Sequence, residues 1–274
     1  MTVKVSKNIF FWLAAILICC TSVVQAACKR ADFPPVLMYH DVKDKALNYF
    51  DVTREDFAAQ LDRLKADGYK TLSMEEFVAV LQEGGKFPEK SVLITFDDGY
   101  RGVYERALPE LEKRNMKATF FIATDLLDYQ EETYPYLTKE ELRKMAASPL
   151  VSIGSHTRTH AHLEQIDSQQ QKEEIAGSRK MLEKLTGRKI EALAFPYGGY
   201  DKSVIEAVRE AGYQVSFAVQ DRGLLHEEAR YSIPRIYVGL ELGKEHLDKF
   251  ADYVARYKEM PAELFVERWE YFKN

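Results

Sequence analysis

Cysteine is nearly missing from this sequence. Of three in 274 residues, Cys19 and Cys20 lie in an apolar N-terminal run, so once that run is removed only Cys28 is left and no intramolecular disulfide can form. An excess of basic charge is missing as well: 38 Lys and Arg stand against 43 Asp and Glu, a net charge of -5. No basic stripe appears that could neutralise phosphates, which excludes nucleic acid as a partner. Internal repeats and low-complexity linkers are absent, which leaves one domain rather than an array. What is present is 46% hydrophobic and 30% charged residues, enough for a full core of barrel size. Small-molecule or glycan chemistry is what this composition points to.

The N-terminus carries Lys4 and Lys7, then an almost uninterrupted apolar run from Ile9 to Val24, then Gln25-Ala26-Ala27. That is the layout of a secretory signal, and Val24-Gln25-Ala26 satisfies the small-residue cleavage rule. Residues 1–26 are therefore expected to be a signal peptide. The competing reading is an uncleaved anchor that would hold the protein at the membrane. A lipid-modified Cys28 is disfavoured by Gln25, which stands where an aliphatic residue would be needed. Residues 27–274 are expected to form the folded domain, a monomer exported to the periplasm, the cell envelope or the medium.

The rest of the chain alternates short apolar runs with amphipathic segments. Strands are expected at residues 36–39, 69–72, 92–96, 117–123, 151–155, 190–195, 213–219 and 233–238. The helices between them space their apolar residues by three and four and carry end signals: Gly68, Ser73, Thr138 with Glu141 three residues on, Gly187 and Asp201. Helices at 245–257 and 261–272 are expected to end the chain. This alternation indicates one parallel, barrel-like α/β domain. Unusual polar residues stand at strand ends: His40, Asp97, Asp98, His156, Tyr197 and Arg235. In a barrel such ends converge on one face.

Asp97 and Asp98 follow an apolar strand directly. Adjacent carboxylates repel, and both stay ionised at low cost only with a cation beside them; Asp-Asp-Gly is also ordinary turn chemistry, the plainer reading. A second cluster, running from His156 through His160 to His162, favours the cation. His156 and His160 are four apart, so one helical turn would put both imidazoles on one side, facing one ion. Two histidines with Asp98 leave coordination positions open, as in a catalytic site. Zinc fits by default, and cobalt, nickel or iron(II) would accept the same set. Such an ion would lower the pKa of a bound water from about 16 to near 7. Asp97 is then free to act as general base. Tyr197, in a Pro-Tyr-Gly-Gly turn, offers a backbone N–H to a developing oxyanion.

At Thr95-Phe96-Asp97-Asp98-Gly99-Tyr100, Ser155-His156-Thr157-Arg158-Thr159-His160 and Phe195-Pro196-Tyr197-Gly198 the chain resembles the polysaccharide deacetylases of carbohydrate esterase family 4, which share a nodulation-type deacetylase domain. The likeness runs from about residue 35 to residue 238. It implies a distorted (β/α) barrel with seven or eight mostly parallel strands and metal-dependent removal of acetyl groups from N-acetylated sugars. It matches Asp97 to the base, Asp98, His156 and His160 to the metal ligands, and Tyr197 to the oxyanion position. Residues 36–42 and Ile233-Pro234-Arg235-Ile236 resemble the exported bacterial branch that includes poly-β-1,6-N-acetylglucosamine N-deacetylases. A polymer of that kind is the expected substrate, with peptidoglycan next. An O-acetyl carbohydrate esterase and a catalytically silent glycan-binding barrel are the alternatives.

Two positions depart from the family pattern. Many members carry an arginine two residues before the proline of the third motif; this chain has Ala194 there, and Arg235 is expected to supply the cation to Asp97 instead. The family's late leucine-rich motif ending in histidine has no close counterpart. Gly223-Leu224-Leu225-His226 resembles it, which makes His226 the candidate general acid. His40 is expected to line the site, to orient Asp97, or to pack; His162 is read as structural and His246 as a solvated helix-face residue. Tyr100, Tyr197, Tyr200 and Tyr237 are candidates for stacking on sugar faces.

Overall fold

The computed structural model describes residues 33–219 and 226–259, without the side chains of residues 226–228. Four buried apolar residues make β1 (Val36–Tyr39). The short strands β2 (Asp41–Lys43) and β3 (Asp51–Thr53) then pair in parallel as a small sheet of their own. With one apolar residue each, they carry too little alternation for the sequence pattern to reveal them. The Thr53 hydroxyl accepts from the Asp56 amide (3.0 Å) to start α1 (Arg54–Ala66), and Gly68, at φ 83°, closes its far end. Next come β4 (Lys70–Thr71) and α2 (Met74–Gln82), the latter opened by a Ser73–Glu76 capping box.

All six residues of β5 (Ser91–Phe96) are buried. A π-helical turn at Val103–Ala107 runs into α3 (Leu108–Arg114), followed by β6 (Ala118–Ile122). A second capping box, Thr138 with Glu141, opens α4 (Lys139–Ala146), which leads to β7 (Val151–Ser155). The long α5 (Ser168–Thr186) is capped by Asp167 and stopped by Gly187 at φ 69°. The chain finishes with β8 (Ala192–Ala194), α6 (Lys202–Glu210), β9 (Val215–Phe217), β10 (Ile236–Tyr237) and α7 (Leu247–Arg256). The helix expected at residues 261–272 lies outside the described residues.

Among the described residues the strands all pair in parallel, in the order β10-β1-β5-β6-β7-β8-β9, with β4 alongside the first residues of β5. Ile233 bridges Phe217 of β9, and Ile236 pairs with Leu37 of β1. Residues 233–237 therefore pass from one end of the sheet to the other, and the sheet curls into a distorted (β/α) barrel. Parallel strands covered on both faces must be apolar throughout, which is why β1, β5 and β6 read as unbroken hydrophobic runs. Each large side chain so buried contributes about 1.5–3 kcal/mol. The strand expected at 190–195 shortens to β8, although the Phe195 amide still donates to the Phe217 carbonyl (2.9 Å) before Pro196, without an N–H, ends the run.

Gly154 in β7 cannot be replaced without movement, since a Cβ there would lie 2.4 Å from two carbons of the Phe121 ring. The Phe121 ring in turn packs 5.6 Å from the guanidinium carbon of Arg235. The close approach of β6 and β7 thus shapes the floor of the site.

Candidate active site and metal centre

Where β5 ends the chain turns at once. Asp97 donates its amide to the Tyr39 carbonyl (2.9 Å), Asp98 adopts a left-handed φ of 70°, and Gly99, at φ 85°, returns its N–H to the Asp97 carbonyl (2.9 Å). Asp tolerates this region better than most residues. The two carboxylates part company there: Asp97 meets Arg235, and Asp98 meets His156 and His160.

Arg235 grips Asp97 with both arms, 2.7 Å to Oδ1 and 2.6 Å to Oδ2, and both residues are buried. It also donates to Thr95 Oγ1 (3.2 Å) and the Ala218 carbonyl (3.3 Å). Sequence reasoning put Arg235 at a strand end. In the structure it stands just ahead of β10, and its long side chain rises through the barrel interior between groups from β5, β6 and the end of β9. Burial alone would lift the Asp97 carboxyl, but the charges of Arg235 and His156 hold it below its ordinary value.

β7 delivers His156, whose amide donates to the Ile122 carbonyl (2.9 Å) and whose Nδ1 lies 2.8 Å from the carbonyl of Ala194. That contact fixes the hydrogen on Nδ1 and turns Nε2 toward the site. The helical turn expected between His156 and His160 is not formed. Thr157 and His160 have φ of 65° and 62°, and the loop takes its hydrogen bonds from outside itself. The two Nε2 atoms nevertheless come to 3.3 and 3.2 Å from Asp98 Oδ1, and one donor atom from each of the three residues lies within 4.8 Å of the others. One carboxylate oxygen and two imidazole nitrogens suit a divalent ion such as Zn2+. Burial would raise the Asp98 carboxyl, yet hydrogen bonds from both histidines hold it well below the usual range. Burial lowers His156, but Asp97 and Asp98 together bring it above its usual value.

These groups open into a cleft of about 310 Å³. His40 and Tyr197 line it, and so do Tyr49, Phe50, Tyr100, Tyr136 and Tyr237. His40 packs 5.7 Å from the rings of both Phe50 and Tyr237, and burial pushes its pKa down; of its three expected roles, lining the cleft and packing are both seen. Tyr197, at φ 57°, sets its ring edge-on to His160 at 4.5 Å and flat against His162 at 3.7 Å. His162, read from sequence as structural, therefore touches the rim. Tyr200 is only 4% exposed and stacks on Phe195, so it has no face to offer a sugar, a correction to the sequence reading. His226 opens a short 3-10 helix, His226–Tyr231, and its side chain lies outside the described residues. Tyr49, Phe50 and Tyr136 were missed because aromatic residues in loops carry no periodic signal.

The polysaccharide deacetylase family matches residues 84–216, a stretch that holds both aspartates, both histidines and Tyr197. The poly-beta-1,6-N-acetyl-D-glucosamine N-deacetylase of Staphylococcus epidermidis is 32% identical over 203 residues, 71% of this chain and 70% of that protein. Two solved structures superpose closely. The deacetylase PplD of Streptococcus pyogenes, in complex with acetate, has a TM-score of 0.69 and 27% identity, covering 79% of this chain and 96% of PplD. IcaB from Ammonifex degensii has a TM-score of 0.68 and 27% identity, covering 81% of this chain and 97% of IcaB. A shared barrel alone would leave the chemistry open, but here the likeness extends to the sequence around the converging carboxylate and imidazoles, and the chain belongs to the polysaccharide deacetylase family.

Proposed function

We propose that the protein hydrolyses the acetamide of N-acetylglucosamine units in an extracellular or envelope polysaccharide, a poly-β-1,6-N-acetylglucosamine first and peptidoglycan second, and that residues 1–26 direct its export. The observation that carries the reading is the meeting of Asp98 Oδ1 with two imidazole Nε2 atoms beside an arginine-paired Asp97. The S. epidermidis relative supports the choice of glycan.

Asp98, His156 and His160 would hold a divalent ion, zinc by default, and such an ion polarises an acyl oxygen and lowers the pKa of water toward 7. Asp97 is the group left to take the proton of the attacking water. Held low by Arg235, it is a weak base, and it works only against a water made acidic by its surroundings. Arg235 keeps both Asp97 oxygens fixed, so the carboxylate is presented in one orientation. The Tyr197 N–H is assigned to the developing oxyanion, a kind of contact typically worth about 10²–10³ in kcat. His226 is assigned the proton for the departing amine.

Acetate release from a panel of N-acetylglucosamine polymers, after chelation and refilling with single divalent ions, tests this directly. Asp97→Asn is expected to abolish acetate release with metal content intact, whereas His156→Ala loses both. Normal turnover by Asp97→Asn would sink the mechanism.

A further inference from the structure

Glu174 lies on α5, outside the cleft, and is buried. Its carboxylate is spent entirely on the loop between His156 and His160. Oε2 accepts from the amides of Arg158 and Thr159, both at 2.8 Å, and Oε1 accepts from the Thr159 hydroxyl at 2.8 Å. Across the loop, the amides of Thr124 and Asp125 donate to the carbonyls of Thr157 (3.1 Å) and Arg158 (2.9 Å). The loop is therefore held on both sides and has no ladder of its own.

It needs holding. Thr157 and His160 sit in the left-handed region, which costs a residue other than glycine roughly 1–2 kcal/mol, and the second of them carries an imidazole of the metal centre. Released, the loop would relax toward ordinary backbone and draw the His160 Nε2 away from Asp98.

The grip is a stripe along one face of α5, at the spacing that makes helix neighbours. One step beyond Glu174 is Gly177, where a Cβ would come within 2.8 Å of Arg158 Cδ. Beside it Ser178 hydrogen-bonds Ser155 (2.6 Å), and the Ser155 hydroxyl accepts the Thr157 amide (3.1 Å).

We infer that Glu174 is a positioning residue that sets the affinity of the Asp98-His156-His160 centre for a divalent cation by holding this loop in its strained form. The inference rests on the reading of those three residues as metal ligands. A charge interaction with the ion is not involved, so the role belongs to the hydrogen-bonding shape of the side chain. An amide of the same shape can keep it: the Gln oxygen would accept from both backbone amides, while its NH2 donates to the Thr159 hydroxyl, which can accept as well as donate.

The test is the dissociation constant of Zn2+ alone, measured by competition with a chromophoric chelator on the full chain. Glu174→Ala is expected to weaken binding about 10–100-fold, the usual effect of losing an outer partner of a metal ligand. Glu174→Gln should restore it to within about threefold. Thr159→Ala, at an exposed position and lacking one of the three bonds, should lose about 2–10-fold, and it carries the test if Glu174→Ala does not fold. Wild-type affinity in Glu174→Ala, or no rescue by Gln, would overturn the inference, as would wild-type affinity in Thr159→Ala where Glu174→Ala does not fold. His156→Ala checks the underlying reading separately: undiminished Zn2+ binding there would remove the metal centre itself.

Discussion

Arg235 and Asp97 share two hydrogen bonds and both are buried, and that determines what a substitution at either position does. Taking each ion out of water costs several kcal/mol, which their attraction offsets only while both are present. Asp97→Asn therefore leaves a buried guanidinium uncompensated, and Arg235→Met leaves a buried carboxylate. Each is expected to lose about 3–5 kcal/mol, and the double variant to lose less than the sum by about 2–3 kcal/mol. Urea unfolding of the four proteins measures the coupling, and simple additivity would mean that the pair does not act as a unit. Arg235 could be anticipated from sequence because a cation was missing at Ala194 and the late Ile-Pro-Arg-Ile segment offered one. Asp97, Asp98, His156 and His160 were legible from adjacency and spacing, although a helical turn was the wrong reason for the pairing of the histidines. Glu174 and His162 were not legible. An acid on a charged helix and a third histidine in a histidine-rich stretch look the same whether or not they touch a site.

The elements show the same division. Helices with capping boxes or terminal glycines were readable almost to the residue, since their end signals are local. The β2–β3 sheet was not, because what holds it is a burial pattern set by the rest of the fold. That small sheet carries an unfavourable group. Asp41 and Asp51 face each other in register, and Asp41 is 2% exposed, its Oδ1 accepting from the Val42 amide (2.8 Å) and its Oδ2 lying 3.2 Å from Lys43 Nζ. Burial, with Asp51 adding to it, pushes the Asp41 carboxyl up to about 6 despite Lys43. A carboxyl raised in the folded state contributes stability that is complete below its unfolded value near 4 and is lost as pH rises through the folded value near 6. Asp41→Asn, which keeps an acceptor for Val42, should then gain on the wild type by about 2–3 kcal/mol between pH 4 and pH 7.5. Denaturant midpoints across that range check it, and a difference that does not change with pH would count against a strained Asp41.

At the scale of the whole molecule, the three side chains proposed to hold the ion come from two places far apart in the chain. Asp98 follows β5 and the two histidines follow β7, with β6 between those strands in the sheet. An ion bound by all three would tie the ends of β5 and β7 together across their shared neighbour. Because the unfolded chain cannot hold those groups together, binding must stabilise the fold as RT ln(1 + [ion]/Kd), about 2.7 kcal/mol at a free concentration one hundred times Kd. For a domain of this size each kcal/mol moves the melting temperature by about 2–4 °C, so chelation should lower Tm by roughly 5–10 °C and refilling with Zn2+ should restore it. His156→Ala should melt at one temperature with or without the ion. If it kept the full ion-dependent shift, the cation that stabilises this barrel would be bound elsewhere, and the proximity of Asp98 to the two histidines would be no more than hydrogen bonding.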